Sequence, residues 1–240
     1  MKIRIKFRKY GVMKFIGHLD IMRYFQKAMR RAKIDICYSE GFSPHQIMSF
    51  AAPLGVGITS DGEYLDIEVN SSRSSEESIK LLNTTMVEGM EITGYVKLPD
   101  NAATAMSIVA AADYQIFFKE DYEIPAAFEA FENGIREFFV NPTEVLITKK
   151  TKKSEKVMDL KSLVYDFKVV EKDAKPEFYL KLSTGSSDNL KPELVLEALF
   201  KSMEIVYDAN ALQIHRLDVY AAGEDTTGFI SLGDMGEVLE

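Results

Sequence analysis

The N-terminal sequence KIRIKFR, Lys2–Arg8, alternates charged and apolar side chains along seven residues. Because successive side chains of a strand point to opposite faces, this period of two predicts a strand with one buried and one wet face. The period then changes. Over residues 18–33 apolar side chains recur every three or four positions, which predicts an amphipathic helix. Its predicted inward positions are Leu19, Met22, Phe25, Met29 and Ala32.

Apolar side chains continue to recur with one or other of these two periods as far as residue 99. We predict strands at 47–52, 63–69 and 91–98 and a helix at 75–87. The order β-α-β-β-α-β is that of a ferredoxin-like half. The remainder of the chain repeats it, with predicted strands at 114–119, 144–149, 157–170, 178–182 and 212–220 and helices at 125–140 and 190–203.

The predicted fold class is therefore α+β, with two ferredoxin-like halves that arose by internal duplication. The first half, 1–99, contains the basic helix and the loop that follows it. A linker at 100–113 joins it to the second half, 114–220, and a poorly ordered acidic tail follows at 221–240. The long strand at 157–170 has room for a turn or short helix near Leu160–Tyr165.

The charge of the chain is distributed unevenly. Of the 240 residues, 46% are apolar and the net charge is −8, yet the first 50 residues carry 11 Lys and Arg against 3 Asp and Glu. This +8 segment indicates a basic face for an anionic partner. The alternative is that basic and acidic parts attract one another inside the fold.

The sequence contains no segment that suggests a membrane protein or an exported one. No run approaches the roughly 20 apolar residues that a membrane helix needs. The charged, alternating N-terminus lacks the apolar region of a signal peptide. The single cysteine, Cys37, excludes an internal disulfide. We expect a cytoplasmic protein without a membrane partner.

A loop rich in turn residues follows the basic helix. Residues 41–45, GFSPH, are predicted to form an anion site in which Gly41, Phe42, Ser43 and His45 hold one backbone or base group. Gly41 is expected to have a positive φ, and Pro44 to make the loop rigid.

Three side chains near this loop are candidates for acid–base catalysis. His45 is the candidate general acid or base, with His18 or Glu40 assisting it. Ser43 beside His45 suggests a nucleophile and its base, but residues two apart on a tight loop seldom align for proton transfer. For His18, the alternative role is a cap of the basic helix.

The basic helix itself is a candidate nucleic-acid surface. Arg23, Lys27, Arg30 and Arg31 fall opposite its apolar side, and within the predicted helix 18–33 no acidic residue lies four positions from any of them. A surface of this kind would follow a nucleic-acid backbone. An ordinary solvated helix face is the alternative.

We expect no cofactor and no metal. Three histidines far apart in the sequence, without a cysteine cluster, are a weak metal signal. Gly55-Val56-Gly57 lacks the third glycine and the strand–helix context of a dinucleotide site.

Several motifs stand out in the first 70 residues. They are Arg4-x-x-Phe7-x-Lys9, Gly17-His18-Leu19-Asp20-x-Met22-Arg23, Arg30-Arg31-Ala32, Tyr38-Ser39-x-Gly41-Phe42-Ser43-Pro44-His45 and Ser49-Phe50-Ala51-x-Pro53-Leu54-x-Val56-Gly57. This set resembles the radical-SAM-linked domain of unknown function. In that family the domain occurs alone or behind a radical SAM module, and no reaction is established. The Cys-x-x-x-Cys-x-x-Cys motif of the radical SAM cluster is absent from this sequence, so the resemblance is to the stand-alone form.

The doubled plan is also similar to that of the tRNA pseudouridine synthases, which have a catalytic aspartate in a loop after the first helix. The corresponding loop here, 39–45, contains no aspartate. This difference argues against pseudouridine synthesis.

Three functions remain open. The first is an RNA-binding module, directed to tRNA or rRNA, that works with a radical SAM RNA-modifying enzyme and is not an enzyme by itself. The second is an enzyme that acts on RNA or on a small anionic substrate through His45. The third is a subunit that only docks on the radical SAM protein.

Overall fold

The computed structural model describes residues 1–150, 155–185, 189–223 and 228–240. The fold class is α+β, as predicted. The chain forms two compact units, one made of Met1–Ala111 with Arg216–Glu240, the other of Ala112–His215. The last segment of the chain thus belongs to the first unit, whereas the predicted boundaries place it in the second half and in a tail.

The elements of the first unit follow the predicted order. Their bounds are β1 Lys2–Lys9, α1 His18–Arg31, β2 Met48–Phe50, β3 Thr59–Glu68, α2 Ser75–Asn83, β4 Met90–Leu98 and the single turn α3 Ala105–Ile108. The strands pair in the order β4-β1-β3, and β2 pairs with β3. All three of these pairings are antiparallel, with Ile5 opposite both Leu65 and Tyr95.

One face of β1 forms the core of this unit. Ile3, Ile5 and Phe7 are almost fully buried, as their alternation predicts. The aromatic rings of Phe7 and Phe25 lie 4.7 Å apart, and those of Phe25 and Phe50 5.6 Å apart, a separation at which aromatic pairs attract one another. Helix α1 is thereby packed on the sheet through Phe25.

The apolar side of α1 differs slightly from the prediction. Phe25, Met29 and Ala32 are buried, but Leu19 is 63% exposed and Ile21 is buried in its place. Ile21 precedes Phe25 by four positions and therefore shares its side of the helix, whereas Leu19, six positions before Phe25, lies off that side.

The other face of β1 is not wet along its whole length, which corrects the prediction. Arg4 is 1% exposed. Its Nε and Nη2 donate to the two oxygens of Asp66 at 2.8 and 3.0 Å, and its Nη1 donates to the Leu232 carbonyl. The Ala105 amide donates to the same carboxylate at 2.6 Å. A forked ion pair therefore joins β1, β3, α3 and the C-terminal segment.

The second unit has its own core of aromatic residues. Strand β5, Val109–Phe118, begins inside the predicted linker, which is therefore shorter than expected. The remaining bounds are α4 Phe128–Ile135, which continues as a π-helical turn to Val140, β6 Leu146–Lys150, β7 Glu155–Asp159, β8 Val164–Lys172, β9 Lys175–Ser183, α5 Pro192–Ser202 and β10 Leu212–Ala222. The core contains Phe118, Phe131, Phe178 and Phe200.

The predicted long strand at 157–170 is two strands. A 3-10 turn at Leu160–Ser162 separates β7 from β8. This is the interruption expected near Leu160. Strand β7 pairs with β6 as a separate two-stranded sheet, whereas β8 pairs with β9.

The described part of the predicted tail, 228–240, is ordered against the first unit. Strand β11, Phe229–Ser231, pairs with residues 220–222 of β10. The Leu239 amide donates to the Ser75 hydroxyl and its carbonyl accepts from the Ser75 amide, both at 2.9 Å. For residues 228–240 the expectation of poor order is wrong, because acidic composition does not reveal backbone pairing. Residues 224–227 lie outside the described part of the chain.

Replacing Arg4 by Met should destabilise the protein by about 3–5 kcal/mol, since the Asp66 carboxylate would remain buried without its counter-ion. Arg8→Met is the matched control on the same strand. Arg8 is bonded to Asp61 and Glu91 with 40% of its side chain exposed, and exposed pairs contribute about 0–1 kcal/mol. Urea unfolding measures both losses. Equal losses would contradict the special position of Arg4.

Candidate functional site

Much of the basic charge of the N-terminal segment is used inside the first unit. Lys6 lies 3.0 Å from the Asp218 carboxylate, and Arg8 lies 2.7 Å from that of Asp61. With the pair of Arg4 and Asp66, three of the four alternating basic residues of the strand have an acidic partner from elsewhere in the chain, and the fourth, Lys2, donates to the Ala102 carbonyl. For β1, the correct interpretation is therefore that basic and acidic residues attract one another inside the fold.

The four basic residues Arg23, Lys27, Arg30 and Arg31 form a stripe on α1. They differ from the basic residues of β1 in their partners. Arg23 is bonded to Asp20 at 3.2 Å, with both side chains about two-thirds exposed. Asp20 precedes Arg23 by three positions, whereas the expectation concerned acidic partners four positions away, so the charge of Arg23 is partly compensated by a pair that it did not cover. Lys27, Arg30 and Arg31 are exposed, and no carboxylate of the described residues lies within 4 Å of them. These three residues are the free cations of the stripe.

The segment after α1 is attached to β3. Ile36 forms a bridge with Val69. The Asp35 carboxylate accepts hydrogen bonds from Asn70 at 3.0 Å and from the Ser71 hydroxyl at 2.7 Å. These bonds, that of Asn70 foremost, lower the pKa of Asp35. The connection between the stripe and the following loop is thus fixed at its middle.

The predicted anion loop is the tip of a small hairpin. Tyr38 and Gln46 form an antiparallel bridge, and the Ser39 amide donates to the His45 carbonyl at 2.8 Å. Gly41 has a φ of +105°, which confirms the predicted positive value. All five tip residues, 41–45, are exposed, and the Phe42 ring is exposed in full. The hairpin displays an aromatic ring with nothing packed on it.

His45 has a different partner from the one that the sequence suggested. Its Nδ1 lies 2.9 Å from the Ser39 hydroxyl oxygen, which also accepts from the His45 amide at 3.1 Å. Ser43 takes no part. The pairing across the hairpin places residues 39 and 45 opposite one another, and sequence proximity alone missed Ser39. In the described chain no carboxylate is bonded to His45, so Ser39 and His45 form a pair without an orienting acid.

The three catalytic candidates are not gathered in one cavity. His18 is the first residue of α1, and its ring stands edge-on to Phe50 at 5.2 Å. It does not cap the helix, since Gly17 occupies the cap position. A small cavity is lined by His18 but not by Glu40 or His45, both of which are exposed. His18 therefore belongs to different surroundings from the hairpin.

Residues 2–192 match the model of a family described as an uncharacterized protein conserved in bacteria (DUF2344). The chain belongs to this family. No curated protein matches it.

Two solved structures are similar in part. A Cbf5-Nop10-Gar1 complex matches with a TM-score of 0.48 and 9% identity, over 90% of this chain and 48% of that one. An unknown protein from Galdieria sulphuraria matches with a TM-score of 0.24 and 9% identity, over 90% and 96% of the two chains. This chain thus spans about half the length of the first structure.

The described residues contain neither a cluster of metal ligands nor a helix suited to a membrane. None of their histidine, cysteine, aspartate and glutamate side chains form a group of three or more that would hold a metal ion. Within the same residues, no helix has the length and apolar character needed to cross a membrane.

Gly41→Val should cost about 1–3 kcal/mol, because a β-branched residue is strained at positive φ. An added Cβ at Gly41 meets no atom within 4 Å, so the cost comes from the backbone alone. Ser43→Ala is the control in the same tip and should change stability by less than about 0.5 kcal/mol. Thermal melts of the two variants measure both effects. If Gly41→Val does not lower the melting temperature, the backbone at residue 41 does not have the positive φ on which the prediction depends.

Proposed function

We propose that this chain is an RNA-binding module, directed to tRNA or rRNA, that serves a radical SAM RNA-modifying enzyme. The observation that carries the proposal is the group of free cations Lys27, Arg30 and Arg31 on α1. On β1, Arg4, Lys6 and Arg8 have carboxylates of the same unit as partners, whereas these three are available to an external anion. An anionic polymer is the partner that would use several of them at once.

The exposed Phe42 ring supports an RNA partner over a small anion. Burying an aromatic ring normally stabilises a protein, so a ring left wholly in solvent on a braced hairpin is available to a partner. Nucleic-acid bases stack on such rings, and stacking combined with a basic surface is the common mode of binding single strands. The amides and side chains of Gly41, Ser43 and His45 would hold a phosphate or base edge beside the stacked base.

We also propose that the chain contains two ferredoxin-like halves. The antiparallel order β4-β1-β3-β2 in the first unit agrees with a ferredoxin-like half, and β5, β8 and β9 with helices α4 and α5 supply corresponding elements of a second half. The radical SAM partner enters from the resemblance of residues 1–70. Its support is the motif set quoted above and not a contact in the structure.

Filter binding of a transcribed tRNA at several salt concentrations tests the stripe. The variant with Lys27, Arg30 and Arg31 changed to Ala should bind more weakly and should lower the slope of log affinity against log salt by about 2, at roughly 0.7–0.9 for each phosphate contact. The matched control changes three exposed lysines that have carboxylate partners. These are Lys80, Lys168 and Lys172, bonded to Glu76, Asp166 and Glu177. Equal slopes for both variants, or no RNA binding by the native protein, would refute the proposal.

Phe42→Ala should weaken RNA binding by about 5- to 150-fold, which corresponds to a stacked base worth about 1–3 kcal/mol. Because stacking releases no counter-ions, the salt slope should stay unchanged. Tyr122→Ala, a change at another exposed ring, should leave affinity unaltered. A Phe42→Ala variant with native affinity would remove the hairpin from the binding surface.

A second candidate function is catalysis by the hairpin, and the contact of Ser39 with His45 favours it. The native protein and His45→Ala would be incubated with tRNA, and the digested nucleosides analysed by mass spectrometry. A mass change that only the native protein produces would make the chain an enzyme. Unchanged RNA in both samples would rule out this catalysis and leave RNA binding as the proposed function.

A further inference from the structure

A small cavity lies beside the first turn of α1. Its apolar wall is formed by Phe7, Ile21 and Phe50, and its polar lining by Lys9, His18 and Glu63. The volume is about 20 Å³, room for one water molecule or one small ion. His18 is half-buried and the neighbouring Pro53 is exposed, so the cavity faces solvent on their side.

The carboxylate at this cavity already has a counter-ion. The Arg216 guanidinium donates from Nε to one oxygen of Glu63 at 2.8 Å and from Nη2 to the other at 2.5 Å. Glu63 is 5% exposed and Arg216 3%. A bidentate pair with this geometry uses both oxygens of the carboxylate.

Lys9 adds a second buried cation without a matching anion. It is 2% exposed. Its ammonium donates to the carbonyl of Ile16 at 2.7 Å, an uncharged acceptor, and no carboxylate of the described residues lies within 4 Å of its nitrogen. The cluster thus contains two cations and one carboxylate. An uncompensated buried charge is costly, and proteins rarely keep one without a partner.

Two of the three effects on the pKa of Lys9 disfavour its charged form. Burial lowers the pKa of Lys9, Glu63 acts in the opposite direction, and Arg216 lowers it further. An anion in the cavity would oppose the effects of burial and of Arg216. The ammonium also has two N–H donors beyond the one used by Ile16, and the positive end of the α1 dipole lies at His18.

We propose that this cavity binds a small anion, or one anionic oxygen of a larger ligand, against the Lys9 ammonium, with the His18 ring as a second donor at the opening. The volume admits formate or bromide, or a single oxygen of a phosphate or carboxylate, but not a whole sugar acid. The site is separate from the α1 stripe and from the hairpin tip. If the cavity binds no anion, the proposal of RNA binding is therefore not affected.

Thermal melts at fixed ionic strength test the site. The native protein would be melted in sodium gluconate, whose anion is too large, and with increasing replacement by sodium formate, sodium bromide or phenyl phosphate. We expect the melting temperature to rise by roughly 2–4 °C once the anion exceeds its dissociation constant about fivefold. Lys9→Met should melt at one temperature in every salt. Lys175→Met, at an exposed lysine, should respond like the native protein.

The outcomes separate the possible sources of the anion. A rise with formate and bromide identifies a site for free small ions, whereas a rise with phenyl phosphate alone identifies a subsite for a group on a larger ligand. No rise above gluconate, or an equal rise in Lys9→Met, overturns the proposal. If Lys9→Met does not fold, anomalous diffraction from native crystals soaked in bromide decides. A bromide within hydrogen-bond distance of the Lys9 nitrogen supports the site. For a protein whose melting temperature rises with bromide, the absence of a bromide there overturns it.

Discussion

The buried fork between Arg4 and Asp66 is the constraint on which the first unit depends. A guanidinium that is 1% exposed cannot remain there unless its donors are satisfied, because an unpaired buried charge costs several kcal/mol. Asp66 on β3, the Ala105 amide and the Leu232 carbonyl complete the arrangement. The last segment of the chain must therefore return to the first unit, although more than a hundred residues of the second unit intervene.

The same type of residue has two roles in this protein, and the partners decide which. On β1, Lys6 and Arg8 face carboxylates of the first unit, so their charge serves cohesion. On α1, Lys27, Arg30 and Arg31 project from a helix whose opposite side is buried in the aromatic cluster of Phe7, Phe25 and Phe50. The net charge of the segment overstates what is available to an external partner.

Local sequence rules predict the backbone conformation of the hairpin tip but not the side-chain partners across the hairpin. Gly41 could be assigned a positive φ because glycine alone adopts it without strain, and that value is observed. The partner of His45 could not be assigned, since it depends on which residues stand opposite across the bridge between Tyr38 and Gln46. Sequence neighbours suggested Ser43, whereas hairpin pairing selects Ser39. Likewise, Lys9 lies just beyond the alternating run Lys2–Arg8, and only its burial reveals the cluster with Glu63 and Arg216.

The sequence by itself determined the α+β class, the order of elements and most of their positions, because periods of two and of 3.6 follow directly from local backbone geometry. It also indicated the apolar face of β1 and the stripe on α1. The tertiary structure alone decided that the C-terminal segment joins the first unit and that Arg4 and Lys9 are buried. It likewise decided which cations remain free. These features depend on contacts between residues up to 231 positions apart, and neither local periodicity nor composition carries information about such contacts.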